Sequence, residues 1–133
     1  MEEKLSGQGF EVLGFLSNDF GSQGGSGGQI DGCINSYGIT FKQFAIDHVI
    51  DPDGAGVEVV QPVWQWLLSQ TNPGPATPIE PTWNFHKYLI SKDGQLVGHW
   101  ASSTYPGDDP ANPNDSFDTN EIVMAIKDEL AKP

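Results

Sequence analysis

Hydrophobic spacing divides the chain into short segments. "MEEKLSGQG" reads as the tail of a helix closed by Gly7 and Gly9. The run from Phe10 to Phe15 has the length and the β-branched or aromatic content of a buried strand. Residues 21–28, "GSQGGSGG", have linker composition but are short enough to be a loop bridging two elements. In "EVVQPVWQWLLSQ", Val60, Val63, Trp64, Leu67 and Leu68 recur at helical spacing, with Pro62 tolerable only in the first turn; "TNPGPATP" ends this helix. "TWNFHKYLI" alternates and finishes on a β-branched residue, so Trp83 to Ile90 is expected as a strand. Lys92-Asp93-Gly94 turns it back into "QLVGHW" as a β-hairpin. "YPGDDPANPND" is a polar loop too rich in Pro and Asp to order itself. Asp118, three residues before Glu121, suggests a capping box, after which Ile122, Val123, Ile126 and Leu130 form one apolar stripe of a terminal helix. The order strand, helix, helix, hairpin, helix predicts most of an α/β sandwich, a single domain over residues 1–133 with one core.

Charge narrows the partners. Eighteen acidic against 6 basic residues give a formal charge of −12, so nothing here could replace the counterions condensed on a nucleic acid, and anionic membranes are disfavoured for the same reason. No apolar run approaches the roughly 20 residues that span a bilayer, and the acidic start has no apolar signal region; the expectation is a soluble, cytoplasmic chain. One cysteine, Cys33, excludes an internal disulfide framework and any CxxC motif. By residue type alone Cys33 is a small core residue or an incidental thiol. His48, His86 and His99 lack metal-ligand spacing, and His86 reads as a strand-face residue. "DPDGAG" lacks the remaining acceptors of a calcium loop and reads as a turn. No resident cofactor or metal is expected.

Four segments resemble the glutathione peroxidase family, in the same order and at similar spacing: "GFEVLGFLSNDFGSQ", "YGITFKQF", "DPDGAGVEVVQPVWQWL" and "WNFHKYLISKDG". The resemblance implies a thioredoxin-like, three-layer α/β fold and the reduction of hydroperoxides by a thiol reductant, glutathione or a thioredoxin-like protein, in oxidative-stress defence. In that family a peroxidatic cysteine or selenocysteine attacks the O–O bond, and nearby Gln, Trp and Asn hydrogen-bond to its chalcogen. Donors that favour the anion raise the population of the nucleophile. By resemblance, Trp83 and Asn84 carry the indole and amide donors. Neighbours in a regular strand face opposite ways, so both reach one atom only from an irregular strand start.

Two departures qualify the carry-over. The family Gln falls at Asp19, whose carboxylate would repel a developing thiolate; a protonated Asp19 could donate, and the alternative is a turn residue in "SNDFG". The peroxidatic residue itself is not matched. The resemblance puts it upstream of Gly9 to Phe15, so the chain is expected to be an N-terminally truncated family member, lacking the N-terminal strand and the start of the first helix, and inactive alone. A selenocysteine codon misread as a stop would produce such a start. Cys33 matches the region after the Gly-rich loop, where a cysteine resolves the oxidised peroxidatic residue in some members. Without the missing strand, exposed edges invite a homo-oligomer or strand swap. The rival reading is a non-catalytic thioredoxin-like interaction module.

Overall fold

The computed structural model describes residues 1–22, 25–51, 54, 59–73, 79–108, 111–112 and 116–133. Packing divides the chain into two compact units, Met1–Glu11 with Gln70–Pro133, and Val12–Ser69.

In the Val12–Ser69 unit, β1 (Leu13–Gly14) pairs in parallel with β2 (Lys42–Gln43), Leu13 opposite Lys42. The expected strand over 10–15 is therefore a ladder of only two residues. Its path continues less regularly, Phe44 N–H donating to Gly14 O at 2.8 Å and Asp47 N–H to Leu16 O at 3.1 Å. The end of the Gln43 side chain lies over Gly14, where a Cβ would come within 2.2 Å of Oε1 and displace that amide. β2 has no apolar alternation to announce it; only pairing with β1 makes it a strand. The connection between them holds α2 (Gly27–Tyr37), so Gly27 and Gly28 are helical and not linker. Ser26 precedes the helix, and Gln29 Oε1 accepts its N–H at 2.8 Å. Gly38, at φ 60, closes the helix in the left-handed conformation glycine tolerates.

The helical spacing around Trp64 is realised as α3 (Pro62–Leu68), with Pro62 in its first turn, where no N–H is needed. Val60, Trp64 and Leu67 are buried. Phe15 stacks on Phe44 with centroids 4.6 Å apart and meets Trp64 edge-on at 6.0 Å. Part of "DPDGAG" and of "TNPGPATP", and five positions of the loop after Tyr105, lie outside the described residues.

In the other unit, β3 (Lys87–Ile90) and β4 (Leu96–Trp100) form the predicted hairpin, antiparallel, with Lys87 opposite Trp100 and Tyr88 opposite His99. The turn at 92–94 is present, and Gly94 adopts φ 80. β3 is shorter than the expected strand: Trp83 to Phe85 form a turn before it. α1 (Glu2–Leu5) and α4 (Glu121–Leu130) supply Leu5, Ile122 and Ile126 to a core completed by Leu89, with Phe10, Val97, Trp100 and Phe117 packed against it. The predicted stripe of α4 faces this core. Its cap is not the predicted one. Ser116 O accepts the N–H groups of Thr119 and Asn120, which delays the helix, so Asn120 caps it, accepting from Ile122 N–H at 3.1 Å and Val123 N–H at 3.3 Å. Asp118 instead pairs with Lys127 at 2.6 Å.

Candidate functional site

Trp83 and Asn84 lie on the turn that leads into β3; Trp83 is 51% exposed and Asn84 half-buried. Phe85, expected as ordinary strand, is corrected by the structure. It has φ 61 and its side chain is 81% exposed. A non-glycine residue held there costs about 1–2 kcal/mol, and burial of its ring offsets little of that.

His86, Lys87 and Tyr88 are each tied to a different segment. His86 Nε2 lies 3.3 Å from His99 Nδ1. The Lys87 ammonium donates to the carbonyls of Ala101 at 3.4 Å, Ser102 at 3.2 Å and Thr104 at 2.6 Å. The Tyr88 hydroxyl donates to Ile79 O. These anchors hold the chain in place immediately after the strained residue.

The two imidazoles form a directed chain. His99 Nε2 lies 2.8 Å from Asn72 Oδ1, which only accepts, so His99 carries its proton on Nε2 and presents a lone pair at Nδ1. His86 Nε2–H must then donate to His99 Nδ1. The ring planes are within 9° with centroids 5.6 Å apart, yet the nitrogens are only 3.3 Å apart, so the rings meet edge to edge and not face to face. His86 Nδ1 is left as a buried lone pair without a partner among the described residues. Burial, followed by the charges of His99 and Lys87, pushes His86 down to about 4. Burial also lowers His99, so both rings are neutral at pH 7. Single-residue spacing could not reveal this pair, but the hairpin register could: Tyr88 faces His99, and His86 shares the Tyr88 face.

Asp19 belongs to the Val12–Ser69 unit and is neither a bare carboxylate nor a protonated donor. Its side chain is 2% exposed; Oδ1 lies 2.5 Å from His48 Nδ1, and Oδ2 accepts from Val49 N–H at 2.7 Å and Ile50 N–H at 3.2 Å. Burial alone would raise its pKa, but the hydrogen bonds from Val49, Ser17, His48 and Ile50 together outweigh that and lower it. The upward shift needed for a donating carboxyl is therefore contradicted. The turn reading of "SNDFG" fits the local chain, where Ser17 Oγ accepts Asp19 N–H at 3.0 Å. His48, 29 residues away, has no local signature that pairs it with Asp19.

Cys33 lies on α2 and is exposed, so the core reading of this thiol does not hold. Among the described residues no three His, Cys, Asp or Glu side chains gather as metal ligands, and no helix is long and apolar enough to cross a membrane.

No protein-family model matches the chain. It is 34% identical over 110 residues to the hydroperoxy fatty acid reductase gpx1 of Synechocystis sp., covering 77% of this chain and 61% of that protein. It is 36% identical over 106 residues to the glutathione peroxidase-like peroxiredoxin gpx1 of Schizosaccharomyces pombe, covering 78% and 62%. The glutathione peroxidase of Lactococcus lactis is 34% identical over 106 residues, covering 78% and 62%. The chain thus spans about three fifths of the length of these relatives. The crystal structure of Trgpx in apo form aligns with a TM-score of 0.62 at 26% identity, covering 99% of this chain and 65% of that one. The mixed α/β elements and the shared thioredoxin-type fold agree with the sequence similarity: this chain belongs to the glutathione peroxidase family.

Proposed function

We propose that this chain serves the reduction of hydroperoxides by a thiol. The observation that carries the reading is its similarity, over 77% of its length, to a hydroperoxide-reducing relative. In the proposed chemistry a thiolate or selenolate attacks the terminal oxygen of the hydroperoxide; the O–O bond breaks, the alkoxide leaves and is protonated to the alcohol, and two thiols reduce the resulting sulfenic or selenenic acid, giving a disulfide and water. Trp83 and Asn84 supply the indole and amide donors to the anion. Asp19, ionised and occupied by Val49, Ile50 and His48, does not take the donor role of the family Gln. Net charge −12 opposes steering of anionic glutathione, so a thioredoxin-like protein stands beside it as reductant.

Cys33, the single thiol of the 133 residues, is aligned by the resemblance with the resolving position, and this reading gives it that role rather than the peroxidatic one. Self-association through a strand edge belongs to the same proposal. The ionised Asp19 favours a second reading, a thioredoxin-like module that binds without catalysis.

Assayed with hydrogen peroxide or cumene hydroperoxide and either glutathione or thioredoxin, the 133-residue chain is expected to give no turnover above the thiol blank. Turnover that survives Cys33→Ser overturns both readings. The native protein's mass separates them. A longer form with a further cysteine or selenocysteine supports the peroxidase, whereas a mass matching these residues alone supports the module.

A further inference from the structure

The segment 83–88 combines a strained residue with three anchors, and the anchors differ in what can release them. Phe85, at φ 61 and 81% exposed, is held by the three residues after it in the chain. Lys87 is clamped by three carbonyls and Tyr88 by one, and both keep a single protonation state from neutral to mildly acidic pH. The anchor adjacent to Phe85 is different. It is a chain of two neutral imidazoles whose direction is fixed by Asn72 Oδ1 and whose far end, His86 Nδ1, is a buried, unfilled lone pair.

We propose that the Asn72–His99–His86 chain is a proton-operated lock on the Trp83–Phe85 turn, closed while both imidazoles are neutral and opened by protonation of His86. A proton on His86 Nδ1 creates a buried N–H with no acceptor among the described residues. The resulting cation lies beside the Lys87 ammonium, and His99 can accept no further proton without losing its acceptor role toward His86. The ring therefore turns outward to solvent and releases the turn that carries Trp83, Asn84 and Phe85. The groups that face His86 are Lys87 and Tyr88 from β3 and His99 from β4, with Glu80 acting on Tyr88. None of them offers His86 a countercharge at contact distance among the described residues. The inference stands apart from the peroxidase reading, since it concerns the turn's conformation and needs no turnover.

The test is amide hydrogen exchange at the start of the hairpin ladder, in the paired residues Lys87 and Trp100 and Tyr88 and His99, corrected for intrinsic rates, together with 15N spectra of the imidazoles between pH 7.5 and 4. At pH 7.5 both rings are expected neutral with the proton on Nε2. Protection of these amides is expected to fall by up to about a hundredfold as pH approaches 4, while the amide of Ile126 in α4 stays protected. Asn72→Asp sets a carboxylate against His99 Nε2, favours the protonated chain, and is expected to move the opening to higher pH; a purely structural Asn72 leaves it where it was. His86→Phe keeps a ring but removes the proton site, so the pH dependence disappears even if protection is lower throughout. Flat protection from pH 7.5 to 4, or an opening that Asn72→Asp does not move, overturns the lock. Should His86→Phe not fold, the wild-type and Asn72→Asp titrations decide alone.

Discussion

Asp19→Ala is expected to lower the unfolding free energy at pH 7 by about 3 kcal/mol, read as a drop in the urea midpoint at unchanged slope. The carboxylate is buried and accepts from two backbone N–H groups and from His48. Alanine would leave the N–H of Val49, a residue 4% exposed, without its acceptor, a penalty beyond the lost bonds themselves. Asp19→Asn retains acceptor oxygen for the backbone and is expected to cost about half as much. The pH dependence carries the sharper information. The folded pKa of Asp19 lies below its ordinary value, so its contribution is fully present above the unfolded pKa of 3.8 and is lost as pH falls through the folded one. Asp19→Asn should remove that part of the acid limb. If instead Asp19 were a protonated donor, wild type would lose stability as pH rose toward neutrality, the opposite sign.

Leu5→Ala is the second large effect, with an expected loss of about 3 kcal/mol by the same measurement. α1 has four residues, far fewer than an isolated helix needs to persist in water. What holds it is burial: Leu5 is 2% exposed and packs in one cluster with Leu89, Ile122 and Ile126. Removing its side chain opens a cavity between short elements, and hydrogen-exchange protection of the Lys4, Leu5 and Ser6 amides, which donate to Met1 O and Glu2 O, should fall with it. Glu3→Ala, on the exposed face of the same turn, is the control and should change stability by less than about 0.5 kcal/mol. Equal effects from the two substitutions would mean that α1 is held by something other than this core.

The hairpin, the helix around Trp64 and the terminal helix are legible because each writes its own period into the chain: Val60, Trp64 and Leu67 at helical spacing, Ile122, Val123 and Ile126 on one stripe, Gly94 where a turn needs positive φ. Motif order is legible too, since four segments at family spacing survive whatever happens between them. Along "TWNFHKYLI", alternation correctly announces a strand but puts its start four residues early, because period alone does not register that Phe85 must turn. The cap of the terminal helix departs from expectation for a similar reason. Asp118 has the right offset from Glu121, but the backbone turn at Ser116 decides which residue meets the free N–H groups.

What the sequence determined by itself was the family and the type of each strongly periodic element, properties carried by local residue type and order. Only the tertiary structure decided that β2 is a strand, that Asp19 is an ionised acceptor bound to His48, and that His86 and His99 share a proton chain ending on Asn72. These depend on groups 13 to 31 residues apart meeting at hydrogen-bond distance. Burial then sets their charge states, and neither separation nor burial is written in the local pattern of a chain.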